Sequence, residues 1–342
     1  MMKRIFPLIM ALILLAGCTK PEPQVLKQYQ ATFLDVFDTV TTIMGFAGSE
    51  EEFEVTAKAL HDELKIYHQL FDIYNEYEGI ANLKTINDQA GIAPVKVDQK
   101  IIDLLLDCRE YYELTGEVVN VAMGSVLYLW HEARENGVND PERAKLPDGD
   151  ALKEAAEHCS FDTVIIDEEA STVYLEDPLQ RLDVGAVAKG WATEQVCRDA
   201  PEGMLISVGG NVRATGPKPE KQAPWIVGVQ DPDRKMGENL HTLYINRESV
   251  VSSGDYQRYY TVDGKIYHHI IDPETLYPGT KWRAVSIVCE DSGLADVLST
   301  ALFLLPIEEG QALLEKCNAR AMWIAPDGEV TYSTGFEELI RT

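Results

Sequence analysis

Apolar positions along the chain recur with two periods, and the period changes at clusters of Gly, Pro, Asn and Asp. From Phe33 to Phe46 (FLDVFDTVTTIMGF), β-branched and aromatic residues alternate with polar ones, which predicts a strand. The next stretch opens with acidic residues and then carries apolar residues near helical spacing, so a long amphipathic helix is expected from Glu50 to Phe71. His61 and His68 lie on it and read as structural or solvated. A loop with a short helical piece follows, and then a helix from Asp98 to Thr115 closed by Gly116. Val118 to Trp130 reads as a strand end running into a helix, and the polar segment Glu132 to Asp150 as a surface excursion. Ala151 to His158 reads as helix, and Thr163–Asp167 with Thr172–Leu175 as a hairpin. A Gly-rich loop and helix span Arg181 to Val196.

Strands are then expected at Leu205–Val208, Trp225–Gln230, Leu240–Asn246, Val250–Ser253, Lys265–Ile271 and Arg283–Cys289. Two helices, Ala295–Leu305 and Ile307–Lys316, precede a closing hairpin, Ala321–Ala325 with Val330–Ser333. Strands come in runs with helices grouped between them. That favours an α+β fold, with mixed or antiparallel sheets and packed helices, over a doubly wound parallel sheet.

Composition narrows the picture. The chain has 342 residues, 45% of them hydrophobic, and a formal net charge of -26. It is long enough for a sizeable core. The acidity argues against nucleic-acid binding, which needs phosphate neutralisation. It leaves room for a phosphate ligand if a divalent cation supplies the positive charge. Lys3 and Arg4 precede an apolar run, Ile5 to Ala16, too short for an ordinary membrane span, and the run ends in LLAGC. This resembles a bacterial lipoprotein cleavage box, in which Cys18 is lipidated (palmitate-type acylation) and becomes the first mature residue. The expected organisation is a signal peptide over 1–17, a linker over 18–29 and one domain over 30–342. The protein is then exported and tethered to the bacterial cell membrane on its extracytoplasmic face. The other five cysteines are scattered, without metal spacing, and read mostly as small buried hydrophobes. No other hydrophobic run is long enough for a second span.

Candidate chemistry starts at ADVLSTALFLL, Ala295 to Leu305. Asp296 and Thr300 lie one above the other on an otherwise apolar helix. A buried carboxylate needs a partner: a hydrogen-bond network, a basic side chain or a cation. An all-oxygen set with loop carbonyls suits Mg²⁺ before Ca²⁺ and does not suit zinc. Asp296 as a helix cap or internal acceptor is the plainer alternative. Four Gly-rich or polar loops stand beside buried elements: DVGAVAKG, with Asp183 and Lys189; SVGGN; SSGDYQRYY; and HHIIDPETLYP. In strand geometry His268 and His269 point to opposite faces, so only one can face a shared pocket. No Walker loop and no strand-borne G-x-G-x-x-G is present.

Taken in order, TTIMG, DVGAVAKGWA, ISVGGN, SSGDYQR, HIIDPET and ADVLSTALF resemble the bacterial ApbE-type flavin transferases, the FAD:protein FMN transferases, over Phe37 to Trp323. The resemblance implies an α+β enzyme that takes FAD as substrate. It implies Mg²⁺-dependent transfer of FMN to a Thr or Ser hydroxyl of an acceptor protein, through a phosphoester bond, with release of AMP. The implied acceptors are flavin subunits of membrane redox complexes, such as the sodium-pumping NADH:quinone reductase and its Rnf-type relatives. Asp296, Thr300 and the carbonyl of Ala186 match metal ligands. Met44, Tyr74, Ala122, Met123, Gly124, Asp183, Lys189 and Ile270 match FAD-contacting positions. Asn120 stands where an acid is often found, and Leu276 where Gly is common. His269 matches the His of H-x-I-D-P, with a proton-accepting role; Asp255 would orient it, bind FAD or only make a turn. The same site could instead hydrolyse FAD to FMN and AMP, or merely hold FAD on a tethered, non-enzymatic lipoprotein.

The leader reading has its own test. Cys18→Ser is expected to abolish palmitate labelling in cells and move the protein from the membrane to the soluble fraction; unchanged labelling would remove Cys18 from the lipid-attachment role.

Overall fold

Residues 25–233 and 238–342 are described by the structure, a computed structural model. Cys18 and the leader lie outside these residues. The chain opens with β1 (Lys27–Val36) and β2 (Thr39–Ala47), then α1 (Glu50–Phe71), α2 (Leu83–Asp88), β3 (Val95–Lys96), α3 (Gln99–Leu114), α4 (Gly124–Asn139) and α5 (Gly149–Ala156). β4 (Val164–Asp167), β5 (Thr172–Leu175), α6 (Ala188–Asp199), β6 (Leu205–Val208) and β7 (Asn211–Ala214) follow. β8 (Trp225–Gln230), β9 (Asn239–Ile245), β10 (Ser249–Gly254), β11 (Tyr259–Val262), β12 (Lys265–His268) and β13 (Ala284–Cys289) come next. The chain closes with α7 (Ser292–Leu304), α8 (Ile307–Cys317), β14 (Arg320–Ile324) and β15 (Val330–Tyr332).

The centre is an eight-stranded sheet in the order β1-β2-β6-β7-β10-β13-β14-β15, antiparallel throughout. Strand alternation divides its side chains between two cores. Ile43, Val251, Val285 and Ile287 face α1, α3, α6 and α7 in the larger core. Val250, Ala284 and Val288 face the β8–β9 ribbon, with Trp225, Val227 and Leu243, in the second. A third core joins α4 and α5 to the β11–β12 hairpin through Val126, Trp130, Leu152 and Tyr260. The fold is α+β, as the element pattern implies. Among the described residues no helix is long and apolar enough to cross a membrane.

Helix α1 runs over the span its pattern predicts, with Ser49 Oγ accepting the Glu52 amide at 3.2 Å and three glutamates in the first turn. Four expectations need correction. The single strand over Phe33–Phe46 is a hairpin: Phe37 and Asp38 take φ of 53° and 50°, a two-residue turn with no Gly to signal it. The first part of the surface excursion expected over Glu132–Asp150 is the second half of α4, which runs to Asn139. Val118–Val121 forms no strand, and the strand expected to reach Ile271 ends at His268. The Leu276 turn survives without Gly, at φ 64°, closed by the Leu276 amide donating to the Asp272 carbonyl at 2.8 Å.

Helices α6 and α7 cross at Gly190. A Cβ there would lie 2.4 Å from both the Asp296 Cβ and the Ser292 carbonyl oxygen, closer than atoms can approach. Gly190→Ala is expected to cost about 2–3 kcal/mol by overpacking, read as a lowered urea midpoint with unchanged slope; an unchanged midpoint would mean that the two helices are not held in close contact.

Candidate active site

The turn 185–187 leads into α6, whose cap residue Val187 offers no side-chain acceptor. Asp296 of α7 supplies one: the Gly190 amide donates to its Oδ2 at 2.8 Å, and Lys189 Nζ stands 3.6 Å from the same oxygen. Asp296 is therefore buried, at 4% exposure, with its charge set against a helix N-terminus and a cation. The plainer expectation, a hydrogen-bond acceptor, is met by one oxygen. No hydrogen bond among the described residues reaches the other, Oδ1. Thr300, one turn on and half-buried, gives its hydroxyl no partner either.

The same contact frees a third oxygen. In a continuing helix the Gly190 amide would donate to the Ala186 carbonyl. It goes to Asp296 instead, and no backbone donor among the described residues takes its place. Ala186 O, Asp296 Oδ1 and Thr300 Oγ1 thus form an oxygen donor set with spare capacity, which suits a hard cation. Among the described residues no three His, Cys, Asp or Glu side chains gather, so such an ion would rest on a single carboxylate. Asn211, the first residue of β7, adjoins Gly190; it is buried and its Nδ2 has no partner among the described residues.

A second wall comes from the segment before α4. The Ala122 amide donates to Asn120 Oδ1 at 2.8 Å, so Asn120 does locally what an acid would do. Gly124 donates to the Arg181 carbonyl at 3.1 Å, and a Cβ on it would come 2.5 Å from that oxygen. Met123, beside it, is buried in the third core. Tyr74, Gly124, Tyr128, Arg181 and Asp183 line a small cleft. Asp183 is anchored by its amide to Val121 O (2.8 Å) and accepts the Gly185 amide at 2.8 Å. Burial pushes its carboxyl above the ordinary range, opposed by the Gly185 amide and by the basic side chains nearby, His131, Arg258 and Arg134. Tyr74 stacks on His131 at 4.7 Å, its hydroxyl 3.3 Å from His131 Nδ1; desolvation and the Asp183 charge raise its phenol.

The two histidines divide as strand geometry requires. His268 is buried against Phe303, Nε2 donating to the Gly279 carbonyl at 2.7 Å and Nδ1 accepting the Ile270 amide at 3.2 Å, which fixes a neutral tautomer. His269 lies on the accessible side, recessed enough that desolvation lowers its pKa, reinforced by Arg258, His268, Lys189 and Arg134. Ile270 is buried in the larger core.

Two candidates stand elsewhere. Asp255 pairs with Arg283 (Nε to Oδ2, 3.0 Å), which also holds Asp233, and makes no hydrogen bond to His269; the orienting role is not what the structure shows. Burial nevertheless raises its carboxyl, against the pull of Arg283. Met44 packs on the second core, on the sheet face opposite α7. Residues that the motif reading missed are His131, just before the supposed excursion, Arg134, inside it, and Arg258, quoted within a motif but given no role. Their signal was available: His131 and Arg134 are three apart, hence on one helix face.

A sequence model described as the ApbE family matches residues 35–323. The chain belongs to the ApbE family. Among its relatives, a Treponema pallidum protein named FAD:protein FMN transferase is 35% identical over 277 residues, covering 76% of this chain and 75% of its own. A Klebsiella pneumoniae protein of the same name is 31% identical over 288 residues, covering 80% and 86%. The crystal structure of the ApbE protein from Thermotoga maritima superposes with a TM-score of 0.81 at 27% identity, over 92% of this chain and all of that one. The flavin transferase ApbE from Vibrio cholerae, at 20% identity and a TM-score of 0.75 over 92% of this chain, shares the fold.

A His269 pKa held below the ordinary 6.5 keeps the imidazole neutral on acidification. In an NMR titration its ring signals, identified by their loss in His269→Asn, should stay at neutral-form positions as pH falls through 6.5; a midpoint near 6.5 would contradict the described surroundings.

Proposed function

We propose that this ApbE-family protein is a magnesium-dependent FAD:protein FMN transferase, acting on a Thr or Ser hydroxyl of an acceptor flavoprotein subunit. The observation that carries the reading is the trio of oxygens without partners, Ala186 O, Asp296 Oδ1 and Thr300 Oγ1, beside Lys189 in a cleft with three further basic side chains. Bound there, Mg²⁺ would neutralise charge on the FAD diphosphate and on the AMP leaving group. The acceptor hydroxyl oxygen bonds to the FMN phosphorus as the bridging P–O bond to AMP breaks. His269, neutral and accessible, takes the hydroxyl proton. Lys189 neutralises phosphate charge, and Tyr74 with the Ala122–Gly124 segment offers the flavin a wall. The relatives' shared name and the match over most of the chain support the reaction class. The acceptors we infer are flavin subunits of sodium-pumping NADH:quinone reductase or Rnf-type complexes, reached from a lipid anchor at Cys18 on the extracytoplasmic face of the membrane.

The test is incubation with FAD, Mg²⁺ and an acceptor domain. The acceptor is expected to gain the mass of FMN, with one AMP released per transfer, and chelation should stop both. AMP release without acceptor would mark a hydrolase, and intact bound FAD a binding protein. Asp296→Ala is expected to lower transfer at ordinary Mg²⁺ by about 100-fold or more; full transfer by that variant would refute the ligand role. His269→Asn should slow turnover by about 100-fold or more with FAD affinity little changed, and an unchanged rate would remove it from the base role.

A further inference from the structure

Arg134 and Arg258 share a feature that the proposed reaction has not used. They are cations at the cleft of a chain with net charge -26, and neither meets a carboxylate there. Among the described residues Arg134 meets the exposed Glu135 beside it at 3.3 Å and His131 Nδ1 at 3.1 Å. Arg258 makes no ion pair among the described residues; its carbonyl accepts the His269 amide at 3.1 Å, which seats it across the hairpin from that histidine. Neither arginine forms an ion pair with Asp183, the half-buried carboxyl that lines the cleft. Three groups at separate points of the cleft, Tyr74, Asp183 and His269, all sense the charge of both arginines. Geometry agrees: Tyr74 lines the cleft and its hydroxyl stands 3.3 Å from His131, the partner of Arg134, while Arg258 is bonded through its backbone to His269. His131 braces one of them: its Nδ1 faces both the Tyr74 hydroxyl at 3.3 Å and Arg134 Nη2 at 3.1 Å, so it accepts there while Nε2 carries the proton.

We propose that Arg134 and Arg258 clamp the diphosphate of the dinucleotide substrate, and that His131 is the positioning residue for Arg134. The proposal rests on FAD being the substrate. A planar guanidinium presents paired donors to phosphate oxygens, which an ammonium cannot. The clamp also gives the cleft affinity for a dinucleotide before any cation arrives.

The experiment is titration of the described protein with FAD in EDTA, followed by flavin fluorescence at several salt concentrations. Arg134→Gln and Arg258→Gln are each expected to weaken FAD about tenfold, or about 1.4 kcal/mol, and to flatten the salt dependence of the Kd, since a screened charge contact is lost. ADP, a diphosphate without flavin, should lose affinity in step. His131→Asn should weaken FAD less, and the double variant with Arg134→Gln no more than Arg134→Gln alone. Melting curves confirm folding, and Arg134→Lys, which keeps the charge and loses the fork, should recover part of the loss. FAD affinity and salt dependence within twofold of wild type in both Gln variants would overturn the clamp and leave the transferase reading standing. Loss of affinity with unchanged salt dependence would assign the arginines a structural role and also overturn it. A wild-type chain that binds no FAD in EDTA would overturn the clamp, and one that binds none with Mg²⁺ restored would bring down both readings.

Discussion

The site is built around one buried charge. Taking a carboxylate out of water costs several kcal/mol unless something replaces its hydration. Asp296 is repaid by the uncapped N-terminus of α6, a 2.8 Å bond from the Gly190 amide and the neighbouring Lys189 ammonium. None of this is available unless residue 190 lacks a Cβ, because any side chain there would occupy the carboxylate's own position. The same bond diverts the Gly190 amide from Ala186 and leaves a carbonyl exposed at the mouth of the helix. The compensation for one buried charge thus creates a second ligand oxygen, and a structural requirement and a binding site become a single arrangement.

Charge elsewhere in the molecule works against the substrate. A chain of net charge -26 repels a dinucleotide at long range. Ordinary salt screens that repulsion beyond about 10 Å, so local composition decides. Within the cleft the balance reverses, with Lys189, Arg134 and Arg258 set against two carboxyls, Asp183 and Asp296. Desolvation first, and these cations with it, lower the His269 pKa and favour the neutral imidazole that a proton acceptor requires. A bound diphosphate would partly cancel that field, making the imidazole a better base once substrate is in place.

Where local chemistry decides structure, the sequence is readable. The ends of α1 follow from its Ser49 cap, its acidic first turn and its apolar spacing. The division of His268 from His269 follows from strand alternation alone, and the oxygen ligand pair on α7 from helical spacing. What was not legible depended on packing at a distance. Phe37–Asp38 bends back through a left-handed turn without Gly, where His68 Nδ1 accepts the Phe37 amide at 3.2 Å. Gly137 looks like a helix breaker, yet it sits inside α4 because a Cβ there would meet the Tyr260 ring at 2.5 Å. Reading that Gly as a loop signal concealed the helix that carries Arg134. The partner of Asp255 is Arg283, 28 residues away, and no local rule pairs them.

That helix has a further consequence for how the two walls of the cleft are joined. Trp130 Nε1 donates to the Leu276 carbonyl at 2.9 Å, and the Tyr260 hydroxyl donates to the Lys145 carbonyl at 3.1 Å. The loop after His269, the hairpin that bears Arg258 and the helix that bears Arg134 are therefore one packed unit with its own core. Lys189, Asp296, Thr300 and Asn211 belong to the other unit, built on the central sheet with α6 and α7. Leu276 holds its left-handed conformation, a cost of about 1–2 kcal/mol for a residue with a side chain, because its carbonyl and side chain are fastened to that first unit. The base and the arginines come from one unit, and the oxygen ligands and the lysine from the other. Substrate bound in the cleft touches both, so its binding energy acts directly on their relative placement, on which in-line transfer depends.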